Sequence, residues 1–283
     1  MREMVVAIPS VSQRWACKML VWSRATMRYR ERPRPRDERL KAVLPALARE
    51  APREGQRRIR QTVLERCEGI SKNAFHRIWQ LLGLQVKPRK SKRTRQKPLP
   101  EALGLRATGP NQIWCMDFMK DWTFRGRPLR ILSVVDEYTR ECLALVPAWS
   151  FKAIEIVAQL EWLAYLRKIP VHVRSDNGPE FVATIVGQWA ETVGVRLVRS
   201  APGCPWHNPF SETIHSRIRD EFTELVVFGS LAEAIVLCEA YREWYNTARR
   251  HSSLAYQTPA AFAAKVRTTG LVPGYPGLVG AAA

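Results

Sequence analysis

Three acids, Asp117, Asp176 and Glu212, are the residues whose types and placement could do chemistry. Asp117 interrupts the apolar run "IWCMDFMK", Asp176 closes "IPVHVRSD", and Glu212 follows "CPWHNPFS". A carboxylate inside an apolar run is costly unless something charged pairs with it, which raises the question of whether these acids carry a metal. Simpler readings stand beside that one. Asp-Asn-Gly over 176–178 can be a turn, Glu212 a favourable charge at a helix start, and Asp117 an edge-facing polar residue.

The elements that must position the acids follow from residue 111 onward. "NQIWCMDFMK" reads as a strand with Asp117 in its middle. "LRILSVVDEYTRECLALVPAW" holds two more strands joined by a short polar connection, a hairpin. Asp136 ends the first of these and reads as a turn-capping acid. "FKAIEIVAQLEWLAYLRK" is a helix with Ile154, Val157, Leu160, Trp162 and Leu163 among its apolar positions. "IPVHVRSD" is a buried strand ending at Asp176, "GPEFVATIVGQWAETVG" a helix, and "VRLVRS" a short strand. Asn208 is a good N-cap and Pro209 a good first helical residue, which puts Glu212 in the first turn. There its carboxylate can turn back toward the strand ends. Glu180 reads as an ordinary N-terminal helix acid. The order of elements is a mixed sheet with helices on its faces, an α/β class.

Charge divides the chain in two. Of its 283 residues, positions 1–110 hold 27 Lys and Arg against 9 Asp and Glu, while 111–283 hold 18 against 17. So one-sided a balance points to a polyanionic partner for the first part. That part reads as helices. Ser10 or Ser12 caps the first, with Trp15, Met19, Leu20 and Trp22 at helical spacing. "DERLKAVLPALARE" has the stripe Leu40, Val43, Leu44 and Leu47. Ile59, Val63 and Leu64 mark another helix, and Ser71 caps one carrying Phe75, Ile78, Trp79 and Leu82. The last pair suits a helix-turn-helix whose second helix offers Lys72, Asn73, His76 and Arg77 to DNA. An ordinary helical hairpin with a polar face is the plainer alternative. "KPRKSKRTRQK" carries seven positive charges in eleven residues. It reads as an arm that lies along phosphates through Lys87, Arg89, Lys90, Lys92, Arg93 and Arg95. Six scattered cysteines and five histidines show no metal-ligand spacing and suggest reduced thiols. No run reaches membrane-span length and no signal peptide is expected, so the chain reads as cytoplasmic.

Spacing narrows the chemical reading. Between Asp176 and Glu212 lie 35 residues, and between Asp117 and Asp176 lie 58. This resembles the D, D-35-E arrangement of the retroviral-integrase superfamily of polynucleotidyl transferases. "WCMDFM", "LSVVDEYTREC", "RSDNGPEF", "APGCPWHNPFSETIHSRIRDE" and "YNTARRHSSLAYQTPAAF" each resemble a motif of insertion-sequence transposases whose second reading frame encodes an integrase-like core. "REGQRRI" with "GLQVKPRK" resembles their upstream DNA-binding segment. The chain departs from the common pattern at "PFS" before the glutamate, at Ser216 and Arg219 where lysine is usual, and at Arg250 where proline is common.

The resemblance implies a ribonuclease H-like integrase core over 106–268, with a mixed five-stranded sheet. An all-α helix-turn-helix-type region over 1–86, a basic linker over 87–105 and a tail over 269–283 complete the layout. It implies a DDE transposase that cleaves DNA and transfers strands, with Asp117, Asp176 and Glu212 as catalytic residues and ligands of two Mg²⁺ or Mn²⁺ ions about 3.5–4 Å apart. Arg219, two turns beyond Glu212, would touch phosphate. Trp206 and His207, in the preceding loop, could touch a DNA end or simply anchor the loop. The implied partners are double-stranded DNA, further copies of the chain on that DNA, and an upstream-frame helix-turn-helix protein or frameshift fusion. Two alternatives remain at this point: a catalytically dead DNA-binding relic or repressor, and a ribonuclease H-like nuclease without strand transfer.

Overall fold

The computed structural model describes residues 12–19, 21–25, 34–66, 69–86, 105–200 and 209–269, with the backbone alone at 209–212 and 269. The chain forms two compact units, one of Met1–Leu47 with Gly69–Leu84 and one of Ala48–Glu68 with Gln85–Ala283.

The first unit holds helices α1 (Gln13–Met19), most of α2 (Pro35–Glu50) and α4 (Lys72–Leu81). Ser12 Oγ accepts from Trp15 N at 3.2 Å, and Ser71 Oγ accepts from Ala74 N at 3.2 Å, so both caps form as read. Leu40, Leu44 and Leu47 of α2 and Phe75, Ile78 and Trp79 of α4 are buried. In α1 the buried pair is Ala16 and Cys17, while Trp15 and Met19 are exposed. Helical spacing identifies a face and not which face finds a partner, so the bulky stripe expected there is not the buried one.

The second unit begins with the end of α2 and with α3 (Gln56–Arg66), and continues into a five-stranded sheet. Its strands are β1 (Ile113–Trp122), β2 (Pro128–Asp136), β3 (Cys142–Ala148), β4 (His172–Ser175) and β5 (Arg196–Arg199). Their order is β3-β2-β1-β4-β5, with β1, β2 and β3 antiparallel and β1, β4 and β5 parallel. Helices α5 (Ala153–Leu166), α6 (Pro179–Val182), α7 (Thr184–Val193), α8 (Pro209–Ile218), α9 (Leu231–Thr247) and α10 (Pro259–Thr269) complete it.

Period-two alternation splits the sheet residues between two cores. Trp114 and Met116 of β1, with Leu132 and Val134 of β2, pack against α5 and α7. Met119, Ile131, Val135 and Leu145 pack against Ile214 and Ile218 of α8 and against α9. Asp117 shares its strand face with Met119 and therefore points to the α8 side. On α5, Val157, Leu160 and Leu163 are buried as expected, but Ile154 and Trp162 are exposed. The helix expected over 178–194 is broken: α6 ends at Val182, and α7 begins at Thr184.

Candidate active site

β1 and β4 run in parallel, pairing Ile113 with His172, Trp114 with Val173 and Cys115 with Arg174. Each pair differs by 59 positions, and 176 − 117 is also 59. Asp176, one residue past the end of β4, therefore falls at the level of Asp117 on the neighbouring strand. The last β1–β4 pair, Cys115 with Arg174, lies two residues before each acid, so the parallel register leads both acids toward the same level, although 58 residues separate them in sequence.

Asp117 is partly covered, its side chain 21% exposed, and Oδ1 accepts from Phe118 N at 2.7 Å. Asp176 is exposed, and its Oδ1 accepts from Gly178 N at 3.0 Å. A Cβ at Gly178 would lie 3.2 Å from that Oδ1, so the turn closes tightly on glycine. Asn177 donates to the Ser200 carbonyl and ties the turn to the end of β5.

Glu180 lies in the first turn of α6, as read from sequence, and also reaches across to the sheet. It forms an ion pair with Arg130 of β2, and that contact holds its carboxyl below the usual range. The Arg130 guanidinium in turn lies 3.9 Å from the Phe118 ring centroid, and Phe118 stacks on Phe181 at 4.8 Å. The residue after Asp117 and the short helix α6 that follows Asp176 are thus clamped together.

α8 begins at Pro209, as the proline in the sequence implied, with Glu212 in its first turn. One turn on, His215 crosses to the sheet. Its Nδ1 lies 3.5 Å from Asp117 Oδ2 and its Nε2 2.6 Å from Ser133 Oγ, and Ser133 is the β2 partner of Asp117. Burial, and then Arg219, push the His215 pKa down to about 4. The imidazole is therefore neutral at pH 7. Arg219 is exposed, at the junction where α8 passes into a π-helical turn over Arg219–Thr223. A single histidine in a polar helix carries little signal in sequence, which is why His215 was not singled out.

Asp136 caps its turn, accepting from Asn111, Tyr138 and Thr139 backbone N–H groups, and burial raises its pKa. Lys72 and Asn73 are exposed on α4, while Arg77 pairs with Asp37 of α2. Lys87, Arg89, Lys90, Lys92, Arg93, Arg95, Trp206, His207 and Asn208 lie outside the described residues.

Asp117 on β1, Asp176 just past β4 and the helix α8, tied to β1 through His215, make up the candidate site. Integrase core domain models match residues 107–205 and 193–259. The 31.7 kDa protein of insertion element IS407 from Burkholderia multivorans is 34% identical over 93% of this chain and 95% of its own length. The 39.2 kDa protein of insertion element IS476 from Xanthomonas euvesicatoria is 33% identical over 98% of this chain and 80% of its own. A chain of the simian T-cell lymphotropic virus intasome, in complex with PP2A regulatory subunit B56 gamma, shares the fold. It does so at a TM-score of 0.50 and 14% identity, over 73% of this chain and 74% of that one. The chain belongs to the insertion-element transposases with an integrase-like core, enzymes of the DDE polynucleotidyl-transferase type. No helix among the described residues is long and apolar enough to cross a membrane.

Proposed function

We propose that the chain cleaves DNA at the ends of its element and joins them to a target, with Asp117, Asp176 and Glu212 holding two Mg²⁺ or Mn²⁺ ions. The observation that carries this reading is the level register of Asp117 and Asp176, with α8 held across Asp117 by His215. The donor set fits: Asp117 on β1 and Asp176 just past β4 are carboxylates, and each oxygen of a carboxylate offers more than one acceptor site. Hard oxygen donors without thiolate suit a hard divalent ion. When bound, such ions supply electrostatic stabilisation to the attacking and leaving oxygens of an in-line displacement.

The chain's own residues then have separable roles. Asp117 presents its carboxylate from β1 and Asp176 from the turn after β4, and Glu212 supplies the third from the first turn of α8. Neutral His215, hydrogen-bonded to Ser133, fixes the distance between that helix and β1. Arg219 meets phosphate near the scissile bond. Residues 1–86 and the arm over 87–97 hold duplex DNA, with Lys72, Asn73 and the arm's cations on phosphate, and several copies of the chain act together on the DNA.

Substitution tests this directly. Asp117→Asn, Asp176→Asn and Glu212→Gln should each abolish Mg²⁺-dependent cleavage and joining while duplex binding persists. Near-normal activity in any one of them removes that residue from the ligand set.

A further inference from the structure

A cavity of about 350 Å³ lies in the second unit beside α8, and five arginines line it: Arg58, Arg106, Arg140, Arg217 and Arg249. Among the described residues, none that lines it is acidic. Thr213, Ser252 and Ser253 add hydroxyls to the wall. Thr213 directly follows Glu212, and Arg217 stands one turn further along the same helix face, so one wall of the cavity is the glutamate helix itself. His215 lies between them in sequence and faces Asp117 instead. α8 therefore serves the acids with one face and this basic cavity with another.

Tyr245 supplies a second, independent observation. It lines the cavity, is only 1% exposed, and its hydroxyl has no hydrogen-bond partner among the described residues. A buried hydroxyl without a partner is uncommon and calls for an explanation. The cavity's field is positive as well. Burial and then Arg249, Arg58, Arg140 and Arg217 push the His251 pKa down to about 2. Arg249 Nη1 lies 2.8 Å from His251 Nε2, and since arginine only donates, that nitrogen accepts.

We infer that this cavity receives a phosphodiester phosphate of the DNA strand passing the glutamate helix, held by Arg217 and the Tyr245 hydroxyl. The inference rests on the transposase reading above and names a second contact point for its substrate. Guanidinium forks match phosphate oxygens in geometry and charge, and the unpartnered Tyr245 hydroxyl completes the shell. The arginines deeper in the wall are already committed: Arg249 and Arg58 share Glu221, so they set the field without being free to move. Arg217 is exposed and has no ion pair among the described residues, which leaves it able to close on an incoming phosphate. A volume of about 350 Å³ accommodates a nucleotide-sized group.

The test uses the full chain and a fluorescent duplex of mixed sequence, with binding followed by anisotropy across a salt series. Tyr245→Phe keeps the ring and removes only the hydroxyl. It should weaken binding several-fold without lowering the melting temperature, because the deleted group has no partner in the free protein. Arg217→Ala should weaken binding about tenfold and make the slope of log K against log salt shallower by about one. Ser216→Ala, exposed on α8, is the control for the helix. Methylphosphonate scanning of the duplex should find a position whose neutralisation weakens the parent but no longer affects Arg217→Ala. Unchanged affinity and slope in both variants overturn the inference, as does a scan with no such position. Inorganic phosphate is the separate arm. If it raises the melting temperature of the parent but not of Tyr245→Phe, while duplex binding is the same in both, the cavity takes free phosphate and the assignment to DNA falls. Mg²⁺-dependent cleavage, measured alongside, separates the two levels: cleavage with no Arg217 effect sinks this inference alone, and DNA binding without cleavage sinks the parent reading.

Discussion

His215 joins the glutamate helix to the strand acid, with Nδ1 3.5 Å from Asp117 Oδ2 and Nε2 2.6 Å from Ser133 Oγ. His215→Ala empties that bridge and leaves the Ser133 hydroxyl without its closest partner. The expected cost is about 1–3 kcal/mol of stability. Because the helix carrying Glu212 loses its tether, cleavage should fall by roughly 10–100-fold. Urea denaturation and single-turnover cleavage measure the two effects. A stability loss with cleavage unchanged would assign His215 a packing role only.

A buried ion cluster fastens α3 to the transposase core. Glu221 of the π-helical turn accepts from Arg58 of α3 at 2.8 Å and from Arg249 Nη2 at 2.8 Å, and Arg249 is 1% exposed. Burial pushes the Glu221 pKa up, but Arg249 and Arg58 together outweigh it and hold it below the usual range. Removing the shared anion strands two cations, so Glu221→Gln should cost about 3–5 kcal/mol in the urea midpoint analysis. Replacing Glu221 and Arg249 together by leucine should cost less than Glu221→Gln alone. A single-variant loss under about 1 kcal/mol would mean that water reaches the cluster.

How much of this was legible depends on whether the cause was local. The strands could be read because apolar runs ending at Asp136 and Asp176 carry their own period. Both serine caps and the start of α8 at Pro209 could be read because capping chemistry lies within a few residues. The level placement of Asp117 and Asp176 came only from the family spacing, since register between β1 and β4 is a property of the sheet. Contacts between distant residues left no mark: Arg130 with Glu180 and Arg58 with Glu221 are 50 and 163 positions apart. Exposure failed where a hydrophobic face found no cover, as at Trp15 and Trp162. Arg217 lines the arginine cavity, a neighbourhood that helical period alone does not reveal.

The arm over 87–97 should set the salt response of DNA binding. Each phosphate neutralised contributes about 0.9 to the slope of log K against log salt. Replacing its seven Lys and Arg with glutamine should therefore flatten the slope by several units in the full chain. Anisotropy between 50 and 300 mM salt, roughly the range in which such slopes are read, decides it. An unchanged slope would make the arm a spacer.

Arg219 adds to burial in lowering the His215 pKa, and it does not line the arginine cavity. Arg219→Ala should slow joining by roughly tenfold, the loss of one charge-assisted contact, with Mg²⁺ affinity little changed. Isothermal titration of the ion beside a joining assay distinguishes the outcomes. A parallel loss of ion affinity would place Arg219 in the support of the carboxylates instead.

The last expectation concerns pH and His251. Its folded pKa, pushed down to about 2, lies well below the ordinary 6.5. The cause is burial first and then the surrounding arginines, with Arg249 foremost. The sign follows from proton counting. Below about pH 6.5 the unfolded chain takes up a proton on this histidine and the folded chain does not, so stability falls as the pH falls. The contribution is fully present above 6.5 and declines by up to about 1.4 kcal/mol per pH unit below it. His251→Gln removes the titration while its amide oxygen can still accept from Arg249. The variant should therefore have a shallower dependence of unfolding free energy on pH between about pH 6 and 4.5, by close to one proton. At pH 8 the two proteins should differ only by the change in packing. Urea denaturation at matched ionic strength over that range supplies both slopes, and equal slopes would show that His251 is protonated in the fold despite its arginine neighbours.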